Sequence, residues 1–225
     1  MYFSNLVLAF AATLPTALGA ALAERATTGT ASWYGGNLDG GSCSFTGYTL
    51  PSGVFGTALS SAYYSNAANC GACVSVKGPN GKTITAMIVD ECPGGCAGYH
   101  LDLFPTAFSS LANPDVGVIP ITWDFVKCPI TSPLQLRNKS GVSQWWFSMQ
   151  VRNANQAVAK LEVSTNSGKT WLATQRQTYN YFQIASGTGT TVVDVRVTSK
   201  DGKVVTVKSV PIKENQVVSA TSNFA

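Results

Sequence analysis

Over most of this chain hydrophobic and polar residues alternate with the two-residue period of a strand, not the longer period of a helix. In Tyr99-His100-Leu101-Asp102-Leu103 the leucines share one side and His100 and Asp102 the other, so a short strand buries Leu101 and Leu103 and presents an imidazole beside a carboxylate. Upstream, the apolar run Ile84–Val89 ends in Asp90-Glu91, a second acidic spot at a strand end. Thr27–Gly36 opens with alternating Thr30, Ser32 and Tyr34 and stops at Gly35-Gly36. The glycine-rich loop Asn37–Ser42 leads into a patternless stretch to Gly56, for which poor order is expected. Thr57–Ser60 is a short apolar piece and Cys73–Lys77 a strand. Gly78-Pro79-Asn80-Gly81 is a hairpin turn in which Asn-Gly suits positive φ, returning as Thr83–Asp90. Cys92-Pro93-Gly94-Gly95-Cys96 is a tight loop that can close on itself by a disulfide. Pro105–Ala112 predicts one short helix, with proline in its first turn and Phe108 and Leu111 on one face. Val118–Lys127 is a last strand whose facing the pattern leaves open. Many short strands, one helix and long loops predict a compact β-barrel.

After Pro129-Ile130-Thr131-Ser132-Pro133 the pattern is cleaner. Leu134–Asn138, Gln144–Arg152, Val158–Ser164, Thr170–Thr174, Tyr179–Ile184, Thr191–Thr198 and Val204–Val210 read as strands, with Thr165–Gly168 and Lys200–Gly202 as turns. In Val193–Thr198 the valines point in and the polar residues out. This predicts an immunoglobulin-like sandwich without cysteines, and a frayed tail after Glu214. The proline-bearing segment is too short for a flexible tether, so the two domains are expected to touch. The fold expected is all-β, with residues 24–128 a barrel, 129–133 a linker and 134–225 a sandwich.

Composition changes the picture in three places. Leu6–Leu22 is apolar and alanine-rich and ends at Ala21-Leu22-Ala23, so residues 1–23 read as a secretory signal peptide. Pro15 and Gly19 break a run barely long enough to span a bilayer, and no later stretch is suited to do so, which argues against a membrane partner. The 6 cysteines all lie in the first domain, and in a secreted chain an even number implies disulfides. Cys70-Gly71-Ala72-Cys73 also has the spacing of a redox pair or half a zinc site. With no second such pair and only 1 histidine the zinc ligands fall short, so no metal or other cofactor is expected. Charge is split: Glu24–Cys128 carries 4 basic and 7 acidic residues, Pro129–Ala225 11 basic and 4 acidic. The basic residues are scattered, which fits solvated faces or acidic wall polysaccharides better than nucleic acid.

Chemistry concentrates in two places. Asp102 with His100, and Asp90, are acid/base candidates, with turn-capping an equal reading for Asp90. Glycoside hydrolysis needs a second carboxylate about 5–10 Å from the acid. The strand with Thr30, Ser32 and Tyr34 offers hydroxyls instead, which bind a glycan but are poor bases. In the second domain, alternation across Gln144–Arg152 sets Trp146, Ser148, Gln150 and Arg152 against Trp145, Phe147, Met149 and Val151. It therefore turns Trp146 outward, where the axial C–H face of a sugar ring can cover the indole. Tyr179 and Tyr181 can extend this platform, with Lys139 and Arg152 donating hydrogen bonds beside it. Asn138-Lys139-Ser140 is an N-glycosylation sequon, and a glycan there would crowd the platform.

Thr30–Gly36, Cys70–Cys73, Val89-Asp90, His100–Leu103, Pro129–Thr131, Trp145-Trp146 and Gln150–Asn153 occur in an order that resembles the expansin family, specifically microbial, fungal-type expansin-like proteins. The resemblance covers nearly all of the chain beyond the signal peptide. It implies a six-stranded double-psi β-barrel followed by a β-sandwich carbohydrate-binding module of family 63 type. It implies that Asp102 is the essential aspartate, at the general-acid position of related endoglucanases, with Asp90, Thr30 and Tyr34 also in the cleft. It implies that Trp145, Trp146 and Tyr179 form a linear aromatic platform on cellulose beside Lys139, which turns Trp145 outward against the alternation; a β-bulge would reconcile the two. It also implies the pairs Cys43–Cys70, Cys73–Cys128 and Cys92–Cys96. One departure is Cys92, where bacterial relatives have a cleft tyrosine. The expectation is a secreted, monomeric, non-hydrolytic wall-loosening protein that binds cellulose and, as further candidates, xylan, chitin or acidic wall polymers. A weak endoglucanase or lytic transglycosylase using Asp102 is the runner-up, and a carbohydrate-binding effector without loosening activity is a third reading.

Overall fold

A computed structural model describes residues 26–225; the expected signal peptide, residues 1–23, lies outside them. Strands β1 (Thr27–Trp33), β2 (Val54–Ser60), β3 (Cys73–Lys77), β4 (Thr83–Cys92), β5 (Leu101–Leu103) and β6 (Ile119–Val126) close into a barrel in the order β1-β5-β2-β4-β3-β6. The pairs β1/β5 and β2/β4 are parallel and the other neighbours antiparallel. Alternation fills the interior: Leu101, Leu103, Ile88, Val74 and Val76 are fully buried. Helix α1 (Ser61–Tyr64) is an element the pattern did not predict, and α2 (Pro105–Leu111) buries Phe108 and Leu111 on one face. A 3₁₀ turn, Pro114–Val116, precedes β6. No helix of the described residues is long and apolar enough to cross a membrane.

The stretch before Gly56 is well defined. Phe45 enters the barrel core, Cys43 bonds Cys70, and Asp39 Oδ1 accepts from Gly47 N at 2.8 Å. One aromatic anchor, one disulfide and one side-chain acceptor replace the missing strand pattern there.

Strands β7 (Gln135–Asn138), β8 (Phe147–Arg152), β9 (Val158–Ser164), β10 (Leu172–Ala173), β11 (Gln175–Arg176), β12 (Phe182–Ile184), β13 (Val192–Ser199), β14 (Val204–Pro211) and β15 (Val217–Ser219) follow. They form a four-stranded sheet, β10-β9-β13-β14, and a five-stranded one, β11-β12-β8-β7-β15. Leu161, Val195 and Val197 from one sheet and Leu136, Phe147 and Phe182 from the other share a single core. The tail is not frayed: β15 pairs with β7, Phe224 is buried, and Asn223 accepts from Asn155 N and donates to Ser132 O and Asn153 O.

The domains touch through polar groups that alternation had assigned to solvent. Ser148, Gln150 and Arg152 are buried on the face of β8 turned to the barrel. Gln150 Nε2 donates to Cys43 O at 2.9 Å, and Arg152 donates to Gln150 Oε1 and Ser44 O. Arg137 caps Thr46 O, Arg176 caps Ala67 O, Lys200 reaches Asn69, and Tyr64 donates to Thr178 O. Second-domain cations meet barrel carbonyl oxygens here, and the ion pairs found among the described residues lie within the second domain. Burial, with Arg137 nearby, lowers the Arg152 guanidinium to about 10. Arg152 is therefore an interface residue, not a donor beside the aromatic platform.

Candidate functional site

Register builds the first site. Ser32 on β1 pairs with Asp102 on β5, Asp102 pairs with Ala58 on β2, and Ala58 pairs with Asp90 on β4. Partners across a ladder point to the same face, so these residues form one row across the barrel wall. The two aspartates are two strands apart, a Cα separation of roughly 10 Å by strand spacing. Ala58, buried between them, keeps the floor low.

Proton inventory orders one side of the row. Ser32 Oγ donates its single proton to Asp102 Oδ1 at 2.6 Å, so it accepts from His100 Nε2 at 2.9 Å. In the neutral imidazole Nδ1 is then the acceptor and takes the Thr30 hydroxyl at 2.8 Å. The chain runs Thr30 → His100 → Ser32 → Asp102, and burial of the imidazole, partly opposed by Asp102, lowers the His100 pKa and favours the neutral form. Leu101 and Leu103 alternate inward and hold Asp102 outward.

Asp90 is occupied differently. Its Oδ1 accepts from Ser42 N at 2.6 Å and Glu91 N at 2.8 Å, while Oδ2 accepts the Tyr34 hydroxyl at 3.1 Å. It therefore anchors the 37–42 loop rather than capping the Cys92–Cys96 loop. Gly41 is needed there, because a Cβ would lie 2.6 Å from Val89 O and 3.3 Å from Asp90 Cγ. Tyr34 reaches across the row with Phe104 packed edge-on at 5.7 Å. Burial first, and then Asp90, raise its pKa, so the phenol keeps its proton and stays a donor.

Neither the redox nor the zinc reading of Cys70–Cys73 survives. Cys70 bonds Cys43 and Cys73 bonds Cys128, while Cys92 bonds Cys96; these are the three pairs that the resemblance implies. No cysteine among the described residues is free to act as a thiolate ligand.

The second cluster lies on the other domain. Ser143–Trp146 is a turn closed by Ser143 N to Trp146 O at 2.9 Å and Trp146 N to Ser143 O at 3.3 Å, so neither tryptophan is in a strand and no bulge is involved. The turn tip throws Trp145 out to 69% exposure, whereas Trp146 is half-buried against the core. This reverses the facing that alternation predicted. Thr188 N and Gly189 N tie down Gln144 O, and a Cβ on Gly187 would lie 2.1 Å from that oxygen. Lys139 Nζ sits 5.7 Å from the Tyr179 ring centre and 5.5 Å from that of Tyr181. Tyr181 is buried and offers no platform surface. Asn138 is fully buried with Nδ2 donating to Pro211 O at 2.9 Å, so the folded chain presents no acceptor amide for a glycan there.

The structure thus gathers Thr30, Ser32, Tyr34, Asp90, His100 and Asp102 on the barrel and sets Lys139, Trp145, Trp146 and Tyr179 apart on the second domain. Alternation missed Ala58, which no local signal marks, and Ser42, whose part is played by its backbone.

A family model described as lytic transglycolase, of the double-psi β-barrel type, matches residues 56–123. Expansin-YoaJ of Bacillus subtilis (strain 168) is 42% identical over 139 residues, 62% of this chain and 58% of the relative's own length. Expansin-A26 of Oryza sativa subsp. japonica is 32% identical over 161 residues, 66% of this chain and 53% of that relative. The crystal structure of the apo Clavibacter michiganensis expansin superposes with a TM-score of 0.80 at 32% identity, over 89% of this chain and 98% of that one. A mutant of that expansin, solved in complex with cellohexaose, gives the same figures. The chain belongs to the expansin family.

Proposed function

We propose that this chain is a secreted, non-hydrolytic, cell-wall-loosening protein of the microbial, fungal type that binds cellulose and related wall polysaccharides as a monomer. On this reading residues 24–128 are the loosening domain, 129–133 a linker, and 134–225 an immunoglobulin-like, family 63-type carbohydrate-binding domain.

The observation that carries the proposal is the inequality of the two aspartates. Among the described residues the Asp102 carboxylate has one donor, Ser32, which leaves acceptor capacity for glucan hydroxyls. Asp90 already accepts three hydrogen bonds, so a water attacking an anomeric carbon would compete with a loop anchor for its oxygens. An acid without a free base can bind and polarise a glycan but not complete hydrolysis. The cellohexaose complex of the Clavibacter relative supports the ligand class. The exposed Trp145, with Trp146, Tyr179 and Lys139, supplies the aromatic face for a flat polysaccharide.

The runner-up, a weak glycoside hydrolase or lytic transglycosylase with Asp102 as acid, draws on the placement of two aspartates, Asp90 and Asp102, in one row two strands apart. A pull-down on insoluble cellulose, xylan and chitin, with creep of a clamped wall strip measured in parallel, tests the main reading. Binding with enhanced creep supports it; tight binding with unchanged creep would favour a pure binding role.

A further inference from the structure

Two of the disulfides are built into the core. Cys43, Cys70, Cys73 and Cys128 are exposed by 0, 5, 1 and 2%, and their bridges span 27 and 55 residues. Cys92–Cys96 is different. Both residues are half-buried, and the bridge spans 4 residues, the separation at which loop closure contributes least to global stability. Its effect must be local, and its place is specific. It closes the connection between β4, which carries Asp90, and β5, which carries Asp102. Both sulfurs lie within 4.8 Å of an Asp102 carboxylate oxygen. Ser60 Oγ holds the far end of the same connection by donating to Gly98 O at 2.6 Å. The Asp102 carboxylate thus has both the Ser32 hydroxyl and the disulfide as neighbours.

We propose that the Cys92–Cys96 disulfide is a positioning element of the glucan site, which holds the 93–98 connection as a wall beside Asp102, and that opening this one bridge weakens glucan binding without unfolding the domain. The inference rests on the proposed function, since it takes the row around Asp102 to be a glucan site. The step is a two-electron reduction: a water-soluble trialkylphosphine and one water yield the phosphine oxide and two thiols. With Gly94 and Gly95 in the ring, the freed segment gains backbone freedom that the bridge denies it.

The chain's only histidine provides a reporter inside the site. Cellohexaose is titrated into the full chain with the His100 ring signals followed by NMR, before and after mild phosphine treatment. Thiol mapping is run on the same sample, and Cys92→Ser/Cys96→Ser serves as a second, reductant-free form. The expected result is thiols at Cys92 and Cys96 alone, an unchanged near-UV circular dichroism spectrum, and affinity at His100 lowered about tenfold, as for the loss of one well-placed contact. Equal affinity in the oxidised and opened forms, or global unfolding when this bridge alone is opened, overturns the inference. If cellohexaose leaves His100 unmoved in the oxidised protein, it is the proposed glucan site that fails.

Discussion

Asp90 separates structural from chemical use of a carboxylate, and a graded pair of substitutions makes the distinction measurable. Asp90→Ala removes the acceptor for Ser42 N, Glu91 N and the Tyr34 hydroxyl. A hydrogen bond to a charged group contributes about 1.5–3 kcal/mol. Because Asp90 is half-buried, water replaces part of this; two backbone donors at the low end of the range give a loss of about 3 kcal/mol. Asp90→Asn keeps Oδ1 for both backbone donors, and its amide can donate to Tyr34 Oη in place of the lost bond. A neutral acceptor has roughly half the strength of a charged one, so its loss is about 1.5 kcal/mol. Urea unfolding followed by tryptophan fluorescence reads the stabilities, and wall creep the function. Asp90→Asn is expected to keep most of its creep activity, and Asp90→Ala to lose it along with order in the 37–42 loop. An Asp90→Asn protein as stable as wild type but without creep would show that the charge itself does chemistry, and would refute this assignment.

The other predictions concern the platform, the interface and the histidine. Trp145→Ala is expected to lower cellulose binding at least tenfold with little change in unfolding midpoint, because 69% of the side chain is exposed; Trp146→Ala should lower both, by about 2–3 kcal/mol in stability for a half-buried indole. Depletion isotherms on microcrystalline cellulose alongside urea curves separate the two. Arg152→Met leaves Gln150 Oε1 without its donor and takes from Ser44 O one of its two, the other being Gln150 Nε2, a cost of about 1–3 kcal/mol. Proteolysis at 129–133 should accelerate if that interface holds the domains together, and an unchanged cleavage rate would contradict it. The His100 pKa lies below its ordinary value of 6.5, chiefly through burial. The unfolded chain therefore binds the proton more readily than the folded one. The stability this contributes is full above 6.5 and is lost as pH falls from there toward the folded value. His100→Gln should remove that segment of the stability–pH curve, and a ring titrating above 6.5 by NMR would reverse the sign.

How much was legible in the sequence depended on how local the cause was. The strand bearing Asp102 was legible because its side chains alternate and nothing distant overrides them. The facing of Trp145 was not, because the chain turns at Ser143–Trp146 before β8 begins, and alternation applied to a turn gives the wrong side. Arg152 and Gln150 looked solvated since polar residues usually are; only the docking of the barrel's 43–44 carbonyls makes that face buried. Asn138 shows the same limit, a sequon whose amide the fold needs for Pro211 O. The row from Ser32 to Asp90 depends on the register of four strands, paired parallel, antiparallel and parallel in turn, that no short-range pattern encodes.

Whether the Asp102 site grips a glucan without cutting it is settled most directly by counting reducing ends. Purified wild type and Asp102→Asn are incubated with cellulose and isolated walls, new reducing ends are quantified, and creep is recorded on the same material. Creep that is present in wild type and lost in Asp102→Asn, with reducing ends at the buffer level in both, is the predicted result. Reducing ends that rise with wild type and fall to background in Asp102→Asn would contradict it and make the protein a hydrolase.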